Sequence, residues 1–376
     1  MIIPILLFII LLINYLVFLI GILKGIKIVS KDNTSSAGSK FVSVIIPFRN
    51  EEKNILKSLQ SITSQNYDKD KYEIIYVDDN SEDETAKLLT ENITSSNIRI
   101  VKSPYNADER AHKKKALKFA IEKARGEIII TTDADCTQGE NWLTTMVNSF
   151  ENNTGFVSGP VEFLSNGTLF GELQKIEFSS LILVGAGLIG IKQPIICNAA
   201  NLGFRKSVFN QVGGYDDNLN ISSGDDEFLM QKISKDTNFD VKFCFSKSAI
   251  TFTEPNRTVE QFYQQRKRWA SKSLYYIKKS TILKLFLIFL FYVGIVVQLL
   301  LGLFYNKIFL ILFIVSYTAK IISEYFVLNT GAKGLFPKIN IVTFLIAEVL
   351  HIPYIIISAV AGAFGNYKWK GREIKR

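Results

Sequence analysis

Apolar runs long enough to cross a bilayer stand at both ends of this chain, with a polar middle between them, and that arrangement admits few folds. Residues 2–23 are almost wholly apolar and are followed by Lys24, Lys27 and Lys31. A cleaved signal peptide would carry a basic start, a shorter apolar core and a small-residue cleavage site. None of these is present, so 1–24 reads as an uncleaved anchor. The lysines put its carboxyl side in the cytosol under the positive-inside rule. A linker over 25–40, including the polar tether Ser30 to Lys40, leads into the middle. Near the other end, runs at 282–303, 308–328 and 340–363 make a membrane segment over 281–364, followed by a basic tail over 365–376.

The formal net charge of +9 would suit a nucleic-acid binder, yet the Lys/Arg clusters lie beside the apolar segments, as they do in membrane proteins. No nucleic-acid partner is expected. Cys136, Cys197 and Cys244 are an odd, widely spaced set that implies neither a disulfide framework nor a zinc site, and the middle is assigned to a reducing compartment. Together these features describe an integral protein of a bacterial inner membrane with a cytosolic domain. The sequons at Asn92 and Asn256 have no meaning there.

From Phe41 the sequence alternates short β-rich runs with helical spacing. Phe41–Pro47, Tyr72–Val77, Ile98–Val101 and Glu127–Thr132 read as strands. Glu51–Ser64, Glu82–Asn92 and Lys113–Arg125 read as helices, the last stopped by Gly126. Such alternation predicts an α/β domain over 41–257, a mostly parallel sheet with helices on both faces, whose strand ends bind ligands. After it, 258–280 mixes Phe262, Tyr263 and Trp269 with Arg266, Lys267, Arg268 and Lys272, a basic aromatic helix suited to a membrane interface.

Four constellations carry chemistry. In VDDNSED, Asp78 and Asp79 end a β-run, where a carboxylate accepts hydrogen bonds from a ribose or base edge; Ser81 and Glu84 equally fit a capping box. In TTDADC, Asp133 and Asp135 point the same way from an extended strand end and suit one hard cation bridging phosphate oxygens, which neutralises a diphosphate leaving group; a solvated turn is the bland alternative. In SGDDEFL, Asp225 and Asp226 open a helix, which the helix dipole explains on its own and which also suits a general base taking a proton from a hydroxyl. In QRKRW, Gln265 to Trp269, a guanidinium fork and an indole suit a diphosphate and a sugar face, or simple anchoring.

In this order the four motifs, with VIIPFRNEE (Val44 to Glu52), KKKALKFAIEKARGEII (Lys113 to Ile129) and NAANLGFRKSVFNQVGGYDD (Asn198 to Asp217), resemble the family 2 glycosyltransferases over about Val42 to Trp269. The similarity is to the membrane-bound branch, with poly-N-acetylglucosamine, hyaluronan, cellulose and chitin synthases and ceramide glucosyltransferases. The resemblance implies a GT-A nucleotide-binding domain, an inverting single displacement, and Mg2+ or Mn2+. By position it gives Asp79, with Asp78 beside it, the nucleoside, Glu51 a place beside that pocket, and Lys113 the diphosphate. Asp133 and Asp135 take the diphosphate and metal, Asp226 the role of base beside Asp225, and Gln265, Arg268 and Trp269 the acceptor and diphosphate clamp. His112 departs from the pattern, standing where a glycine is usual before the lysine.

Gly185, Gly187 and Gly190 spell a dinucleotide fingerprint in the wrong context, after a helical stretch at Phe170 to Leu183, and read instead as close packing or a mobile loop near the acceptor. His112 and His351 each read as a satisfied or surface histidine. One span at the start and three at the end would put the tail, with Lys368, Lys370, Arg372, Lys375 and Arg376, outside, against the positive-inside rule. The segment 340–363, interrupted by Glu348, His351 and Pro353, is the suspect for not being a simple span, and Lys320 and Glu324 are spaced to pair. The expected activity is transfer of a sugar, from a UDP-sugar by preference, to a hydroxyl of a lipid-linked or other membrane-proximal glycan acceptor of the cell envelope. The alternative is a processive polysaccharide synthase.

Overall fold

The computed structural model describes residues 2–32, 40–105, 111–218 and 224–365, together with the backbone of 367–369 and 372–374. Most of the tether and the side chains of the basic tail lie outside the described residues. The chain opens with helix α1 (Ile2–Val29) and enters the sheet through β1 (Val42–Phe48), α2 (Ile55–Thr63), β2 (Tyr72–Asp78), α3 (Thr85–Asn92), β3 (Ile98–Lys102), α4 (His112–Lys123) and β4 (Ile128–Thr131). There follow β5 (Thr137–Gln138), α5 (Trp142–Asn148), β6 (Thr154–Ser158), β7 (Val161–Phe163), α6 (Leu169–Gly190), β8 (Leu202–Arg205), α7 (Lys206–Gln211), α8 (Glu227–Asp236), β9 (Asp240–Phe243) and β10 (Thr251–Thr253). The interface helix α9 (Val259–Ser271) leads to α10 (Lys279–Phe304), α11 (Ile308–Ala332) and α12 (Ile341–Phe364), and a short hairpin, β11 (Tyr367–Trp369) and β12 (Arg372–Ile374), ends the chain.

The main sheet has the order β3-β2-β1-β4-β8-β6-β9. Strands β3, β2, β1 and β4 run parallel, β8 is antiparallel to both β4 and β6, and β9 is parallel to β6. This is the mostly parallel α/β sheet that the alternation of strands and helices predicts. Because successive side chains leave opposite faces, Val44 and Ile46 pack with α2 and α5 while Ile45 packs with α4, so β1 is buried on both sides. That burial stacks the carboxyl ends of β1, β2 and β4 along one edge, and the loops carrying the acids emerge there.

Among the described residues, five helices, α1, α6, α10, α11 and α12, are long and apolar enough to cross a membrane. The three glycines of the false fingerprint lie inside α6, not in a loop. A Cβ on Gly187 would sit 2.6 Å from the Ile22 carbonyl oxygen, and one on Gly25 would sit 1.8 Å from that of Gly187, so α1 and α6 cross backbone to backbone. Both ends of α6 return to sheet strands, β7 and β8.

Helix α12 changes neighbours along its length. Phe344 packs on Tyr325 and Glu348 meets Lys320, both on α11; beyond Pro353, which has no backbone donor to give, Tyr354 meets Phe262 and Gly362 lies against Ala270 and Ser271 of α9. The start of α12 follows the end of α11, where Gly331 lies against Leu183 of α6 and Gly334 against Phe245. Among the four packed helices, Lys320 pairs with Glu324 at 3.0 Å and with Glu348, while Tyr15 and Tyr292 hydrogen-bond to Glu324 and His351 Nδ1 lies 3.6 Å from it. Two glutamates and a histidine here are close enough to ligate a metal, but the Lys320 ammonium already sits among them as the cation.

Candidate active site

The loops at the sheet edge, α6, α9, α10 and α12 enclose one cavity of about 1430 Å³, larger than the several hundred Å³ typical of small-ligand sites. It runs from the acids of the sheet to Tyr15, Tyr292, Glu348 and His351 in the membrane-length helices. Asp79, Glu51, Lys113, Asp133, Asp135, Asp225, Asp226, Gln265, Arg268 and Trp269 all line it. Of the candidate residues, Asp78 is not brought in: it ends β2, and its Oδ1 accepts the Ser81 N–H at 2.8 Å, closing the turn. The alternative capping box between Ser81 and Glu84 does not form: the Ser81 N–H goes to Asp78, Ser81 Oγ accepts the Asn50 N–H at 3.3 Å, and Glu84 makes no side-chain cap hydrogen bond.

The turn after β2 is tied to the one after β1. Arg49 donates to the Asp79 carbonyl at 3.1 Å and pairs with Glu82 at 2.9 Å, and Glu51, held by Asn54 and by its own N–H to Thr85, lies beside Asp79 in the cavity wall. Arg49 is a cavity residue that motif reading overlooked, since only its acidic neighbours stand out in the sequence.

Lys113 is the second residue of α4, which follows Ala111, whose φ of +59° supplies the left-handed turn just before His112. Its ammonium lies 2.6 Å from Asp133 and 3.6 Å from Asp225. Burial pulls its pKa down, but Asp133 and Asp225 outweigh burial and hold it above the usual lysine range. Lys114 lies behind it, fully buried over the Phe228 ring, and burial lowers it to about 8. Asp225 is pushed up by burial, and Lys113 and Lys114 more than reverse that, keeping it ionised.

Asp226 is the N-cap of α8: its Oδ1 accepts the Glu227 N–H at 2.8 Å. Glu227, buried beneath it, meets Lys272 at 3.1 Å and accepts the Tyr276 hydroxyl at 2.7 Å. Burial, abetted by Asp226, raises the Glu227 carboxyl to about 7 against the pull of Lys272. Neither Glu227 nor Lys272 stood out in the sequence, because an acid at a helix start and a lysine on a basic helix are unremarkable until the fold joins them.

In the QRKRW motif the two arginines separate. Both line the cavity, but Arg266 is buried, pairs with Glu177 of α6, and lies 4.2 Å from the Trp269 ring centre and 4.5 Å from that of Phe262. Gln265 accepts from Asn256 at 2.9 Å, and Trp269 stacks on Phe178. Glu177 also accepts the Tyr354 hydroxyl at 2.9 Å, linking the motif to α12.

Residues 43–213 match the family model described as glycosyl transferase family 2. A glycosyltransferase, AglE, of Haloferax volcanii is 34% identical over 189 residues, 49% of this chain and 59% of that protein. The poly-beta-1,6-N-acetyl-D-glucosamine synthase of Staphylococcus epidermidis is 26% identical over 237 residues, 61% of this chain and 53% of that protein. The chain thus spans between about half and three-fifths of the length of these relatives. The solved structure of a mannosyltransferase from Pyrobaculum calidifontis, in complex with GDP-Man and Mn2+, superposes with a TM-score of 0.59 at 18% identity, covering 95% of this chain and 98% of that one, and establishes the shared fold.

Proposed function

We propose that this chain, whose residues 43–213 match glycosyl transferase family 2, moves a sugar, with inversion, from a nucleotide-diphosphate sugar to a hydroxyl of a lipid-linked acceptor at the membrane face. The observation that carries this reading is the single cavity in which Asp79, Lys113, Asp133 and Asp226 share a wall with membrane-length helices. An acceptor with its chain among α6, α10 and α12 reaches the acids without leaving the bilayer.

In this reading Asp79 and Glu51 take the nucleoside, and Lys113, held between Asp133 and Asp225, takes the diphosphate. Asp133 and Asp135 would hold a divalent ion: two carboxylates in one wall suit a hard cation that draws its remaining ligands from phosphate oxygens and water. When bound, such an ion neutralises charge on the departing diphosphate. Asp226 takes the proton of the acceptor hydroxyl as the new C–O bond forms opposite the breaking sugar–phosphate bond. Trp269 offers an indole face to a sugar and Arg268 a fork to phosphate, with Gln265 ordering the turn beside them.

The test is a screen of UDP- and GDP-sugars with Mn2+ and membrane lipid extracts, comparing wild type with Asp226→Asn. One product, lost in the variant while nucleotide still binds, supports the proposal; no transfer with any donor, or equal rates, refutes it. A second reading, processive synthesis, is favoured by the polar membrane end of the cavity, where Glu348, His351 and two tyrosines face the space that a growing glycan would fill. A ladder of product lengths would select it.

A further inference from the structure

Asp226 divides its carboxylate. Oδ1 accepts the Glu227 N–H at 2.8 Å and faces the Lys272 ammonium at 3.6 Å. Among the described residues, the other oxygen, Oδ2, has no hydrogen-bond or ion-pair partner, and the residue lines the cavity. One oxygen is thus tethered and the other left for a reacting hydroxyl.

Part of that tether, the Lys272 ammonium, comes from outside the sheet domain. Lys272 caps the carboxyl end of α9, is buried, and has Asp226 and Glu227 as its ion-pair partners. Glu227 is in turn held by Tyr276, from the turn that leads into α10. Arg268 and Trp269, one turn earlier on α9, line the cavity, and Gly362 of α12 packs so closely on Ala270 that a Cβ there would come within 2.5 Å. The elements that meet the membrane and the acceptor therefore reach the proposed base through one ammonium.

We propose that Lys272 is a positioning residue: bridging Asp226 and Glu227, it aims the Asp226 carboxylate and makes its alignment depend on how α9 is seated against α12. This rests on Asp226 being the base. It goes further, because it assigns Lys272, which lines the same cavity, to aiming Asp226 rather than to holding donor or acceptor, and predicts that turnover and donor binding separate when it is changed. A lysine serving the diphosphate would instead change both together.

The experiment compares wild type, Lys272→Met, Lys272→Arg, the double variant Glu227→Gln/Lys272→Met and Asp226→Asn. It uses the full-length protein in detergent with the donor identified by the screen above. The readouts are kcat, donor KM, binding of UDP or GDP with Mn2+, and the thermal midpoint. The double variant removes the ammonium together with the acid that faces it, so loss of the bridge is separated from loss of folding. Displacement of a catalytic group by about 1 Å is worth about 100-fold. The expected result is a kcat about 100-fold lower in Lys272→Met and in the double variant, with KM and nucleotide binding within about twofold of wild type, and recovery to within about tenfold in Lys272→Arg. Wild-type kcat in a folded double variant overturns the inference. So does a parallel loss of UDP or GDP binding, which would place Lys272 at the diphosphate. Full activity in Asp226→Asn would instead overturn the base assignment itself.

Discussion

Replacing Arg266 tests whether α9 is locked onto α6 by charge. Its guanidinium is buried, with Nε 3.1 Å from Glu177 Oε1 and a second contact to the other carboxylate oxygen. At an effective dielectric of about 20, that separation is worth roughly 5 kcal/mol of gross attraction, most of it offset by the desolvation of both groups. Removing one partner leaves the other charge buried, so Arg266→Met and Glu177→Met should each cost about 3–5 kcal/mol. Arg266→Met also loses the ring contacts with Trp269 and Phe262, which adds roughly 0.5–2 kcal/mol. The double variant puts two apolar chains together and should be destabilised by no more than about 2 kcal/mol, giving a coupling energy of roughly 4 kcal/mol or more. Cys136 and Cys244 are buried, so the rate at which a thiol-reactive dye labels them on heating in detergent reports unfolding. Single variants should melt several degrees below wild type, and the double variant close to it. If the double variant loses as much as the two singles combined, the pair is not coupled and the reasoning is refuted.

Other expectations follow from the same geometry. Lys113→Met should weaken UDP or GDP binding roughly ten- to hundredfold by calorimetry in the presence of Mn2+, since it removes a charge-assisted contact held by Asp133; unchanged affinity would remove Lys113 from the diphosphate site. Glu227 is raised to about 7 by burial, so the folded protein holds its proton more tightly than the unfolded chain. The stability this confers is complete below the ordinary carboxylate range and is lost as pH rises through 7, about 3 kcal/mol in all. The thermal midpoint of wild type should therefore fall between pH 5 and 7.5 more steeply than that of Glu227→Gln, and parallel curves would count against it. Gly187→Leu places a side chain where a Cβ already meets the Ile22 carbonyl at 2.6 Å, and overpacking of this kind costs about 1–3 kcal/mol. A melting curve identical to wild type would mean α1 and α6 do not cross so closely.

Much of this architecture is written in local pattern. The continuous apolar strands, the 3.6-residue spacing of α2 and α4, and the long apolar ends depend on backbone geometry over a few residues, and a single sequence displays them. Acids at the ends of β2 and β4 were legible for the same reason: a strand that ends in Asp can only present it at the sheet edge. Even the conflict over the basic tail was visible as a count of spans against charges.

Other features depend on residues far apart in the chain. Adjacent aspartates look alike, yet the turn spends Asp78 on Ser81 and leaves Asp79 in the cavity wall. Two arginines in one motif look interchangeable, and only the approach of α6 pairs Arg266, not Arg268, with Glu177. Gly25 and Gly187 acquire meaning only where two backbones cross. Likewise Glu348, His351 and Pro353 mark α12 as an irregular span in the sequence, but only its contacts with Phe262, Ala270 and Ser271 show that its far end lies along α9. Sequence alone determined the elements, the membrane-length ends and which side chains can do acid–base or phosphate chemistry, because those are properties of neighbours along the chain. Tertiary structure decided which of them share a cavity, because pairing between distant charges is settled by packing and by the cost of burying any that remain unpaired.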